Sequence, residues 1–138
     1  MSAVSVMPFV ERVGQELQRA ERYRIFVSLL VLDLDSLKKA GAEEASDIDR
    51  LVDLIKGNTR AIDTAARINS HKMALLLPET PRQGAEIAAR RVTELIRVSC
   101  PAVFNDTADR VIPLEMASYP DAAGARTVKE IMAEFAEA

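Results

Sequence analysis

A central sheet with helices packed on it, an α/β (α+β) fold in one domain spanning residues 1–138, is the architecture this sequence predicts. Three observations predict it. Phe26 to Leu34, FVSLLVLDL, is almost wholly apolar and rich in branched residues, as a central strand covered on both faces must be. Two shorter runs, Thr64 to Asn69 and Lys72 to Leu77, lie close enough to form a hairpin about Ser70-His71. Around these strands, four segments carry apolar residues at helical spacing, giving the order helix, strand, helix, hairpin, helix, strand, helix.

The first helix is predicted from Pro8 to about Tyr23, with Phe9, Val13, Leu17 and Ala20 as its buried stripe and Pro8 near its first turn. After the long strand, Ser46 with Asp49 can cap a helix that buries Ile48, Leu51, Val52 and Ile55 and stops at Gly57-Asn58. Beyond the hairpin, Thr80-Pro81 opens a long helix in which Gln83 completes a capping box with Thr80. Its stripe is Ala85, Ala88, Val92, Leu95 and Ile96, and it ends near Ser99-Cys100-Pro101. Ala102 to Arg110 reads as a loop and Val111 to Ser118 as a strand weakened by Pro113. Thr127 to Phe135 reads as a final helix with Val128, Ile131, Met132 and Phe135 inward.

Composition bounds the function. At 138 residues, with 49% hydrophobic and 28% charged residues, the chain can bury one ordinary core. No apolar run approaches the roughly 20 residues that span a bilayer, and no export signal opens the chain, so a cytoplasmic protein without membrane attachment is expected. A net charge of -3 argues against nucleic acid polymers as partners. Cys100 is the single cysteine, which excludes an intrachain disulfide and a cysteine zinc cluster and reads as a buried or incidental thiol. His71 is the single histidine and lies in a turn, with no Ser/His/Asp set or metal-spaced cluster around it; a solvated side chain is its simplest reading.

The stretch Arg60 to Thr80, RAIDTAARINSHKMALLLPET, resembles the heart of a GGDEF domain, the diguanylate cyclase family. Arg60 and Asp63 fall on the family's Arg-x-x-Asp pair. Five residues separate Asp63 from Asn69, where the Gly-Gly-Asp/Glu-Glu-Phe signature would start, and Leu77-Pro78-Glu79-Thr80 matches the Leu-Pro-x-Thr turn. Upstream, VSLLVLDLDSLKK is similar to the family's first strand with its Asp-x-Asp ending, and downstream LEMASYP resembles its late strand. The resemblance covers about residues 9 to 135. It implies a ferredoxin-like, nucleotide cyclase-like fold, with a mostly antiparallel sheet of about five strands flanked by helices, and a place in bacterial signalling.

The same alignment implies lost catalysis. The family joins two GTP molecules into cyclic di-GMP at a site holding divalent metal, and its paired glycines let backbone approach the nucleotide. Here Asn69 and Ser70 replace the glycines, while His71 and Lys72 replace the acids that would favour magnesium. Met73, at the signature's Phe, reads as core filler. Asp33 matches the family's first metal carboxylate, but beside Lys72 it reads as half of an ion pair, and Asp35 matches the less direct second acid. The segment KAGAEEAS, Lys39 to Ser46, is about five residues shorter than the family's guanine-holding loop. Glu115 replaces a glycine and is expected at a sheet edge facing solvent. No catalytic residue, metal ligand or cofactor is therefore expected.

One family site remains. Arg60 and Asp63 match the inhibitory site that binds cyclic di-GMP away from the active site, and Arg91, with Arg90 beside it, falls where the family often adds an arginine. A guanidinium can fork onto guanine O6 and N7 or onto phosphate, and a carboxylate can accept from guanine N1 and N2. The plain alternatives are a solvated Arg60–Asp63 ion pair and an Arg91 on a solvated helix face. The resemblance thus implies an inactive receptor for cyclic di-GMP or, alternatively, a ligand-independent module that dimerises or docks a signalling protein.

Overall fold

A computed structural model describes residues 2–35, 45–99, 114–120 and 126–137. Its helices are α1 (Ser2–Tyr23), α2 (Ala45–Gly57), α3 (Arg82–Ser99) and α4 (Val128–Glu137). Its strands are β1 (Val27–Asp33), β2 (Thr64–Arg67), β3 (Lys72–Pro78) and β4 (Leu114–Tyr119). Lys39 to Glu44, Cys100, the loop Ala102 to Arg110 and the start of the late strand, Val111 to Pro113, lie outside the described residues, as does the side chain of Ser46. Among the described residues, no helix is long and apolar enough to cross a membrane.

The described sheet has four strands, against about five expected for the whole domain, in the order β2-β3-β1-β4 with every neighbouring pair antiparallel. Strand β1 lies inside and is buried along nearly its whole length, which is why its sequence is apolar without alternation. Its side chains still alternate between faces. Leu30 and Leu32 join Met73, Leu75 and Leu77 of β3 beneath α2 and α3, whereas Val27, Leu29 and Val31 join Ala74, Leu76 and Ala117 beneath α1 and α4. The stripes read from the sequence face these cores: Phe9, Val13, Leu17 and Ala20 of α1, and Ile48, Leu51, Val52 and Ile55 of α2.

The helix ends refine the expectation. Helix α1 begins before Pro8, which sits inside it, so the proline does not mark the start. At its other end, Arg24 adopts φ 56° and the Ile25 N–H donates to the Ala20 carbonyl at 3.1 Å, the capping bond in which glycine is the commoner residue. Helix α2 stops after Gly57 because Asn58 and Thr59 turn their side chains back onto the carbonyls of Leu54 and Lys56. Helix α4 starts with a reciprocal capping box. The Thr127 N–H donates to Glu130 Oε1 at 2.9 Å and the Glu130 N–H donates to the Thr127 hydroxyl at 3.1 Å; the Thr127 backbone N–H first, and its side chain second, hold the Glu130 carboxyl below its ordinary range.

The only polar residue buried in the middle of the apolar run is Ser28, and its position has a reason. Its hydroxyl donates to the Thr80 carbonyl at 2.7 Å and lies 2.7 Å from the Ser118 hydroxyl, so with its single proton already given, Ser118 is the donor in that pair. Ser28→Ala is expected to cost about 1–3 kcal/mol by leaving the buried Thr80 carbonyl without this donor, as a urea titration would measure.

Candidate functional site

Two corners of the fold carry the residues that the sequence singles out. The first is the turn between α2 and β2. The Arg60 guanidinium grips Asp63 through Nε to Oδ2 at 3.1 Å and Nη2 to Oδ1 at 2.9 Å, while the Arg60 N–H donates to the same Oδ2 at 3.0 Å. The Asp63 carboxylate is 5% exposed and the Arg60 side chain 48%, so the acid is the buried anchor and the arginine the accessible part. The hydrogen bond from Arg60 to Asp63, ahead of the charge attraction, raises the guanidinium pKa, which keeps Arg60 a cation at any working pH. Three bonds leave Asp63 about one acceptor site of its usual four.

Thr80 completes this corner. Its hydroxyl donates to the Pro78 carbonyl at 2.8 Å and accepts from Arg60 Nη2 at 2.6 Å, so the group expected to form a capping box with Gln83 ties the start of α3 to Arg60 instead. Glu79, at φ 53°, turns the chain there and pairs with Arg19 of α1 at 3.2 Å. Arg60, Asp63, Thr80, Gly84, Ile87 and Arg91 line one cleft of about 200 Å³. Residues separated by some thirty positions thus share one cavity, and Ile87, 52% exposed, supplies an apolar wall.

The second corner is the β2–β3 turn with the end of β1. Asn69 closes the turn with its own side chain, whose Oδ1 accepts the N–H groups of His71 at 2.7 Å and Lys72 at 2.9 Å. His71 is not simply solvated: its Nδ1 lies 2.6 Å from Asp35, with both side chains substantially exposed. Met73 is fully buried in the core, as its character demands.

Lys72 stands opposite Asp33 in the strand register, and its ammonium is held by Glu134 of α4 at 2.8 Å. Glu134 in turn accepts from Arg126 Nη1 at 2.5 Å. Arg126 also forks onto Glu115, through Nε at 2.8 Å and Nη2 at 2.6 Å. Glu115 lies on β4, which is the edge of the sheet among the described residues, but its side chain is only 28% exposed and turned to Arg126 rather than to solvent.

The chain Glu115–Arg126–Glu134–Lys72 therefore spans β4, α4 and β3. Hydrogen bonds from Lys72 and then Arg126 hold the Glu134 carboxyl below its ordinary range, and the bond to Glu115 leads the causes that raise Arg126. Beside it, Asp33, Lys72 and Glu115 border a cavity of about 310 Å³. Magnesium does not fit this donor set, because Lys72 and Arg126 put two cations where a hard divalent ion needs oxygen ligands. Among the described residues, no three His, Cys, Asp or Glu side chains are grouped so as to hold a metal ion.

Sequence reasoning missed Thr80, Arg126 and Glu134. Thr80 reads from the sequence as a helix cap, and the other two carry no local pattern that distinguishes them from surface charges.

Comparison with known proteins agrees with this architecture. No curated protein sequence matches the chain. Among solved structures, the diguanylate cyclase SiaD of Pseudomonas aeruginosa, in complex with its activator SiaC, superposes with a TM-score of 0.64 at 18% identity, covering 96% of this chain and 52% of SiaD. The chain thus spans about half of that protein. PelD from residue 158 onward, from the same organism and bound to c-di-GMP, gives 0.59 at 19% identity over 96% of this chain and 43% of PelD. The GGDEF domain of P. aeruginosa YfiN, also called TpbB, gives 0.57 at 19% identity over 94% and 83% of the two chains. These likenesses concern the fold. The family described as "Diguanylate cyclase, GGDEF domain" matches residues 7–134, and to that family this chain belongs.

Proposed function

We propose that this chain is a catalytically inactive GGDEF-type signalling domain that acts as a receptor for cyclic di-GMP through the cleft of Arg60, Asp63 and Arg91. The observation that carries the reading is the convergence of those three residues, with an apolar wall at Ile87, on one accessible cavity. Arg60 and Arg91 supply positive charge for phosphates or guanine acceptor edges, and the remaining acceptor site of Asp63 suits a guanine N–H. The c-di-GMP held by PelD lends support, since that protein has a similar fold.

Inactivity rests on the second corner. Asn69 occupies the N–H groups of His71 and Lys72 that a nucleotide could otherwise approach, and Lys72 and Arg126 repel magnesium. Incubation with GTP and magnesium is expected to give no cyclic di-GMP.

Calorimetric titration of cyclic di-GMP against the purified protein tests the receptor. Saturable binding on the order of micromolar, weakened at least about tenfold by Arg60→Ala, is the expected result. Absence of heat, with no shift in thermal midpoint, would refute it and favour the alternative, a dimerisation or protein-docking module. One observation favours that second reading: Tyr23 and Phe26 are 61% and 46% exposed, and Phe26 borders an apolar cavity of about 340 Å³ with Tyr119 and Pro120.

A further inference from the structure

We infer that Thr80 is a positioning residue of the arginine cleft: its hydroxyl fixes the orientation in which Arg60 meets a ligand. The inference rests on the cyclic di-GMP reading for its ligand but on geometry for its substance.

An arginine that is half exposed ordinarily samples many rotamers, and freezing it on binding has an entropic cost. Here the guanidinium is braced from two directions. Asp63 takes Nε–H and one hydrogen of Nη2, and the Thr80 hydroxyl takes the other hydrogen of Nη2 at 2.6 Å. Asp63 alone fixes the plane of the fork only while its own carboxylate stays put; a second acceptor from a different element resists rotation of the pair as a unit. Among the described residues, Nη1 is the guanidinium nitrogen left to donate to a ligand.

Thr80 is itself held on three sides. Its hydroxyl proton goes to the Pro78 carbonyl at 2.8 Å, and its own carbonyl accepts from the fully buried Ser28 of the central strand at 2.7 Å. Its methyl lies over Gly84, where a Cβ would stand 2.8 Å from Thr80 Cγ2; a larger residue on that turn of α3 would push the threonine away. The side chain is 5% exposed, so its geometry is that of the core rather than of a surface loop. The brace thus runs from the buried β1 strand through Thr80 to the accessible Arg60.

The test compares Thr80→Val, which keeps the shape and loses the hydroxyl, with Thr80→Ser, which keeps the hydroxyl and loses the methyl. Rotation of the Arg60 guanidinium in the ligand-free proteins is followed by nitrogen-15 NMR of arginine side chains, and cyclic di-GMP affinity by calorimetry. Slow rotation is expected in the wild type and Thr80→Ser and fast rotation in Thr80→Val. Affinity should fall about tenfold in Thr80→Val, the equivalent of one modest hydrogen bond to a charged group, and stay within about twofold in Thr80→Ser.

A purely structural threonine predicts the reverse order, because its packing would survive in valine and suffer in serine. Equal rotation in the wild type and Thr80→Val overturns the inference, as does wild-type affinity in Thr80→Val while Arg60→Ala loses binding. If the wild type binds no cyclic di-GMP, the receptor reading fails, and the ligand-free rotation rates still decide the role of Thr80.

Discussion

Phe135→Ala is expected to destabilise the fold by about 3–5 kcal/mol, the range for truncating a fully enclosed aromatic. Phe135 is 1% exposed on the last helix, and its ring lies 6.4 Å from that of Phe9 on the first, tilted by 48°. Both rings sit in the core that β1 shares with α1 and α4, so removing one leaves a void bordered by elements from the two ends of the chain. Neither helix can follow the other inward, because each is also anchored to the sheet by Leu17, Leu29 and Ile131. A domain of this size holds about 5–15 kcal/mol in all, so this one change removes a large share. Urea unfolding at neutral pH measures it as a lower midpoint with an unchanged slope. A loss under about 1 kcal/mol would mean that α4 is not packed on α1 as described.

Legibility in the sequence divides along physical lines. Core positions were readable because burial leaves a period. Phe9, Val13, Leu17 and Ala20 recur as a helix requires, and FVSLLVLDL lacks alternation because both faces of β1 are covered. Boundaries were less readable. Pro8 signals a start only where the helix has no earlier turn, and β2 ends at Arg67, two residues before the expectation, because Asn69 spends its side chain on the turn.

The arginine cleft was half legible. The spacing of Arg60 and Asp63 shows in the sequence, and the resemblance points to Arg91, whereas the contacts of Thr80 depend on a sheet register that no local pattern encodes. Least legible was the charge network. Glu115, Arg126 and Glu134 lie on an edge strand, before a helix and on its exposed side, where charged residues are unremarkable one by one; only the fold makes them neighbours of Lys72.

Arg126→Ala is the second large effect expected, about 2–3 kcal/mol at pH 7. That lies between the small value of an exposed ion pair and the 3–5 kcal/mol lost when a fully buried pair is broken. The intermediate figure follows from exposure: Arg126 and Glu115 are each 28% exposed and Glu134 is 40%, so solvent screens part of the network. Removing the guanidinium leaves Glu115 without its fork and Glu134 with Lys72 alone.

The sign of the pH dependence follows from Glu134, whose folded pKa is lowered from 4.5, first by Lys72 and then by Arg126. A lowered carboxyl contributes stability that is fully present above the unfolded value and lost as pH falls through the folded one. The wild type should therefore lose more stability than the variant on acidification, and the gap between them should narrow below about pH 4. Arg126→Lys keeps the charge but not the two-pronged contact with Glu115, so it should recover less than half of the loss. Hydrogen exchange adds a local readout: the amides of α4 should open more readily in Arg126→Ala, because the network is what ties the polar side of that helix to β3 and β4. A gap between wild type and variant that stays constant from pH 7 to pH 3 would show that Arg126 stabilises the fold by packing and not through the charge of Glu134.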